Sequence, residues 1–153
     1  MLANVLLVLA VLSAGVVYGV DVFFAVVGRP ALAASDERAI ANVMAHLHWV
    51  ADARMPTFGA LAVLSTAAVA AMNPLGSLSS GLAIAALAGL LVQLGLYLTV
   101  AKPVNDAMKA ATQQGTPLDN PRALQNRWDS VIVGRAIAMT WAMACLLVTG
   151  ALH

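Results

Sequence analysis

LANVLLVLAVLSAGVVYGVDVFFAVV, residues 2–27, is the stretch whose reading decides the fold. It is apolar throughout and holds one ionisable residue, Asp21. A helix needs about 20 such residues to cross the hydrocarbon core of a bilayer. The stretch makes a poor signal peptide. It has no basic residue ahead of it, and it exceeds the roughly 7–15 residues of a usual apolar signal segment. Three further runs follow. Residues 56–72 carry no charge, residues 81–101 hold Gln93 and Tyr97 as their main polar members, and residues 130–152 are interrupted by Arg135 near the start. Of 153 residues, 61% are hydrophobic and only 10% charged, against about 25% charged in a soluble domain. That is too little charge to cover a water-facing surface. The expectation is one all-α transmembrane domain over residues 1–153, an integral membrane antiparallel four-helix bundle with an extra helix before the second span. Membrane lipids are its expected surroundings.

The connections fit this reading. Gly28-Arg29-Pro30 is expected to end the first helix. Ser35, followed by Asp36 and Glu37, is expected to cap a helix running towards Pro56, with its acids where the helix dipole favours them. The stripe Ile40, Val43, Met44, Leu47, Val50, Ala51 keeps helical spacing along it. Asn73–Ser80 is a short uncharged turn with Pro and Gly breakers, and Gly115–Pro121 is a polar linker. No internal repeat is evident.

Charge orients the chain. Arg29, Arg38 and Arg54 lie around the first connection; Lys102, Lys109, Arg122, Arg127 and Arg135 lie around the third. The acids Asp21, Asp36, Glu37, Asp52, Asp106, Asp119 and Asp129 belong to the same pole. The opposite pole holds no ionisable side chain but His153. The excess of Lys and Arg places the charged pole in the cytoplasm and both termini outside, across the plasma membrane if the source is prokaryotic. A formal net charge of +1 argues against a nucleic-acid partner. The single cysteine, Cys145, lies in an apolar run and reads as a small buried hydrophobe. Gly15 and Gly19 have the spacing of close helix contacts, within one chain or in a homo-oligomer.

Ionisable residues inside spans are costly and usually face the bundle interior with a partner. Asp21 lies about two turns before Arg29-Pro30 with Tyr18 on its face. It reads either as a lock paired with Arg135 or Arg54, or as a proton carrier. His46 and His48 sit about 160° apart on a helix, so they cannot share one metal, and no further cluster completes a metal site. His48 and Asp52 do share a face, which suits an oriented imidazole or a capped surface. Asn105 follows Pro103 where the third helix is disturbed, giving a capped exit or a ligand-facing kink. Trp128 and Arg135 share a face. Trp128 suits an interfacial belt, and Arg135, two turns deeper, needs an anion. Asp21 and Arg135 have matching depths and are expected within reach of each other.

Arg54-Met55-Pro56 opening the second span, Pro103-Val104-Asn105 closing the third, and Trp128 to Arg135 opening the fourth together resemble the DUF1772 family of anthrone oxygenase-like membrane proteins. The resemblance covers most of the chain in order and spacing. Where members often carry Asn or His between that Trp and Arg, this chain has Ile132. The resemblance implies an oxygenase acting on an anthrone- or quinol-like aromatic substrate. Such chemistry needs no cofactor, because an anthrone carbanion reacts with O₂ directly. It does need a base, a dry pocket and donors for the enolate oxygen. Asp21 or His48 is the candidate base. Arg135, Arg54 and Asn105 are candidate oxygen partners, and Tyr18, Asp52, Tyr97 and Trp128 candidate ligand contacts. Two other classes stay open: a non-enzymatic module holding a lipid, quinone or haem-like ligand, and a structural membrane subunit.

Overall fold

A computed structural model describes residues 1–152; His153, assigned above to the bare pole, lies outside the described residues. The chain is helical almost throughout. Helix α1 (Leu2–Phe23) passes through a π turn (Phe24–Gly28) into α2 (Arg29–Ala34), and α3 spans Glu37–Met72. Helix α4 (Leu78–Leu96) passes through a second π turn (Tyr97–Ala101) into α5 (Lys102–Gln114), and α6 spans Pro121–Ala151. The four continuous rods Leu2–Ala34, Glu37–Met72, Leu78–Gln114 and Pro121–Ala151 are each long and apolar enough to cross a membrane.

The two π turns correct the expected helix ends. Neither Arg29-Pro30 nor Lys102-Pro103 stops its helix. A proline lacks an N–H and crowds the carbonyl four residues before it, and the wider π turn takes up the misfit without breaking the rod. Both breaks are written alike: an aromatic (Phe24, Tyr97), then Val27 or Val100, a small residue (Gly28, Ala101), a cation and proline. This short recurrence escaped the search for repeats because the flanking sequence is not repeated. The cap of α3 also moves by one residue. The Asp36 side chain accepts from Ala39 N at 2.8 Å. Ser35 instead closes α2, its Oγ donating to Ala31 O at 2.9 Å. Pro56 lies inside an unbroken α3.

Helix α1 packs on α3 and α6, and α4 packs on α3 and α6. The interior of the bare half is rich in small side chains: Ala10, Ala14, Ala62, Ala83, Ala86 and Ala142 are buried beside Leu90, Met139 and Leu146. Large side chains such as Leu12, Leu64 and Ile137 point outward. Small residues let helix backbones approach when close packing rather than exclusion of water holds helices together. Gly89 shows how close they come, since a Cβ there would stand 2.8 Å from the carbonyl oxygen of Ala138 on α6. Along the α1–α6 contact, Leu7 lies against Gly150, Gly15 against Met143, and Asp21 against Arg135. A second apolar cluster (Phe24, Ile40, Met44, Met108, Trp128 and Ile132 among it) fills the charged half.

Candidate functional site

Most of the residues singled out in the sequence meet in the charged half. Asp21 on α1 is fully buried. Its Oδ1 accepts from Arg135 Nη2 on α6 at 2.6 Å, and its Oδ2 accepts from Gln93 Nε2 on α4 at 3.2 Å. Three helices are thus joined at one carboxylate. The Arg135 guanidinium lies 5.7 Å from the ring centres of both Tyr97 and Trp128, within cation–π range.

A second carboxylate sits nearer the helix ends. Asp52 Oδ1 accepts from Tyr97 Oη at 2.9 Å and Asn105 Nδ2 at 3.0 Å, and its Oδ2 accepts from Lys109 Nζ at 2.5 Å. Tyr97 joins the two centres, its hydroxyl on Asp52 and its ring beside Arg135. The π turn that begins at Tyr97 and the proline after it set the rotation at which Asn105 and Lys109, one turn apart on α5, both reach Asp52. Beyond the apolar run, Asp106 is gripped by Lys102 at 2.6 Å and Lys109 at 2.9 Å. The Lys102 and Lys109 ammonium groups hold its carboxyl below the usual carboxylate range.

His48 is buried, and its ring lies 5.8 Å from that of Trp128. Phe24 meets Trp128 edge-on, with ring centres 5.1 Å apart. Four buried polar atoms in this neighbourhood have no hydrogen-bond partner among the described residues: His48 Nε2, Trp128 Nε1, Arg135 Nε and Asn105 Oδ1. Each such atom costs about 1–3 kcal/mol if it stays unpaired, and native interiors hold few of them. Two more such atoms, Gln125 Oε1 and Thr66 Oγ1, lie on α6 and α3; three of the six, on His48, Trp128 and Arg135, gather around the Trp128 ring.

Three expectations change. Arg54 is exposed and makes no ion pair among the described residues, so it is not a partner of Asp21. It follows Asp52 by two residues, about 200° around the helix, and an inward Asp52 turns it outward. Tyr18 is half-buried against the apolar core and makes no hydrogen bond to Asp21. His48 does not orient on Asp52, whose oxygens are occupied by Tyr97, Asn105 and Lys109. His46 and His48 do diverge: His46 is exposed, its Nδ1 2.7 Å from Asn42 O. Two site residues were missed. Gln93 was visible as the lone amide of its span. Lys109 was counted only among the charges around the third connection, although its spacing from Asn105 placed both on one face.

Away from this centre, a surface cleft of about 260 Å³ is lined by Ala45, His46, Trp49, Thr112 and Gln113. A second, of about 660 Å³, lies between the start of α3 and the Gly115–Pro121 linker. No family model matches the chain, and neither the curated proteins nor the solved structures contain a match.

Proposed function

We propose that this is an integral membrane protein whose helices form an antiparallel bundle, with the charged half in the cytoplasm and both termini outside. Its buried polar cluster binds a small, flat aromatic molecule bearing carbonyl or hydroxyl oxygens. The outward Leu, Val and Ile side chains support insertion. The α1–α6 contacts, in which rising residue numbers on α1 meet falling numbers on α6, support the antiparallel arrangement. The observation that carries the ligand reading is the set of four unpartnered buried atoms. Arg135 Nε and Trp128 Nε1 donate to a ligand oxygen. Asn105 Oδ1 accepts from a ligand hydroxyl, and the rings of Phe24, Tyr97 and Trp128 supply apolar walls.

The resemblance to anthrone oxygenase-like proteins extends this reading to chemistry. His48 is then the better base, because its Nε2 is free while Asp21 and Asp52 are each held by cationic and neutral donors. A C–H proton passes to His48, and the enolate oxygen is held by Arg135. The carbanion adds O₂, and the peroxide formed loses water to leave a quinone. The structural-subunit reading has one observation in its favour: Asp21 is fully paired and fully buried, which suits a lock between α1, α4 and α6.

The test uses the full chain in lipid nanodiscs, titrated with a hydroxyanthrone. Saturable binding is expected, weakened roughly tenfold or more in Arg135→Gln, the loss of one charged hydrogen bond. Oxygen uptake that disappears in His48→Gln supports the oxygenase. Binding without uptake leaves a binding module, and absence of saturable binding overturns the proposal in favour of the structural subunit.

A further inference from the structure

A line of hydrogen bonds and ion pairs runs from the exposed face of α5 into the buried cluster, through side chains that all carry or exchange protons. Asp106, half-exposed, meets Lys109 Nζ at 2.9 Å; Lys109 Nζ meets Asp52 Oδ2 at 2.5 Å; Asp52 Oδ1 meets Tyr97 Oη at 2.9 Å. Side-chain exposure falls along the line, from 49% at Asp106 to 19% at Lys109 and 14% at Asp52. The line does not continue to the other end of the helices. Residues 1–20, 55–101 and 136–152 contain no Asp, Glu, Lys, Arg or His. A conduit across the molecule would need titratable groups in both halves, and here only one half has them.

We propose that Asp106, Lys109, Asp52 and Tyr97 form a one-sided proton relay that connects the buried cluster to water at the charged end. The inference rests on the preceding reading of that cluster as a working site, and it adds how the site exchanges protons. One inward transfer balances as follows. Lys109 gives a proton to Asp52; Asp106, a carboxylate at rest, takes a proton from water and hands it to the neutral Lys109. The Tyr97 hydroxyl, which donates to Asp52 at rest, first turns inward; Asp52 then passes its proton to Tyr97 Oη as the inward proton leaves. The proton just received leaves the hydroxyl pointing at Asp52 again. Every residue ends as it began, and one proton has moved inward. The receiver is His48, one turn from Asp52 on α3, whose Nε2 has no partner among the described residues. The charged groups whose fields reach His48 are Asp52 on its own helix, Lys109 from α5 and Arg135 from α6.

Lys109→Arg separates a relay from a brace. Arginine keeps the positive charge and both ion pairs, yet it does not give up its proton in a protein. A structural lysine is rescued by this change and a relay lysine is not. The readout is Trp128, which lies beside His48 and whose fluorescence an imidazolium quenches. Trp49→Phe and Trp141→Phe leave it as the sole tryptophan. The full chain in nanodiscs, without ligand, is jumped from neutral to acid pH in a stopped-flow instrument. A fast quench is expected, abolished in amplitude by His48→Gln. It should slow roughly 100-fold in Lys109→Arg and in Tyr97→Phe, the lower end of what a positioned proton transfer contributes. Equal rates in the parent and both variants overturn the relay, as does a parent without any quench. Failure of hydroxyanthrone binding would refute the ligand reading and leave this measurement intact, since no ligand is present in it.

Discussion

At the crossing of α1 and α6, Asp21 meets Arg135 at 2.6 Å; on the exposed face of the first turn of α5, Asp106 meets Lys102 at the same distance. The two pairs share a length but not a setting: the first joins two helices and takes in Gln93, the second lies within one helix and takes in Lys109. The inner side chains are 0% and 8% exposed, the outer ones 49% and 45%. In the interior each charge has lost its water, so each depends on the other. At the rim, water replaces a lost partner at once. Equal length therefore carries very unequal consequences, and the distance alone ranks neither pair.

The largest expected effect breaks the inner pair. Asp21→Asn or Arg135→Gln should each cost about 3–5 kcal/mol, because each strands a buried charge. The double variant should cost clearly less than the sum, since it strands none. Reversible unfolding in mixed micelles measures all three. Simple additivity would mean that the two residues are not coupled, and the contrast with the rim would lose its physical basis. Asp52 lies between the extremes. Asp52→Asn removes the acceptor of a charged hydrogen bond, an effect of about 1.5–3 kcal/mol. Lys109 keeps Asp106 as a second partner, so the loss should fall below that of either inner variant in the same unfolding assay.

This gradient was partly legible in the sequence. The apolar runs over residues 2–27 and 81–101 announced their helices because each is long and apolar enough to cross a membrane. Asp21 and Arg135 could be matched by depth, since each interrupts a run at a similar distance from a recognisable boundary. Depth says nothing about rotation, however, and that is where the reading fell short. Arg54 was placed inward by its proximity to the pole, though two residues on a helix separate it from Asp52 by most of a half-turn. The proline at 30 was read as a stop, and that at 103 as an exit or a kink, because a single strand of letters does not show a π turn. That turn carries the helix onward and sets the rotation that brings Asn105 and Lys109 onto Asp52. The unpartnered atoms of His48, Trp128, Arg135 and Asn105 were invisible for the same reason: a missing hydrogen bond is a property of packing, not of spacing.

The smallest effect belongs to the rim pair, and its sign with pH is a sharp check. Asp106 lies beyond the apolar run, and Lys102 and Lys109 hold its carboxyl below the usual carboxylate range. A depressed carboxyl contributes stability above its unfolded pKa. That contribution is lost as pH falls through the folded value, where the native carboxylate finally takes up a proton. Lys102→Ala should therefore lower stability at neutral pH by only about 0.3–0.5 kcal/mol, the usual worth of an exposed pair one turn apart. The difference from the parent should vanish in acid, below the folded pKa of Asp106. It should also shrink as salt rises from low to physiological strength, where the screening length falls to about 8 Å. The inner pair, out of reach of mobile ions, should show no such salt dependence. A Lys102→Ala cost that rivals Arg135→Gln, or that persists unchanged at high salt, would show that the exposed face of α5 is buried in the assembled protein, against lipid headgroups or a second chain.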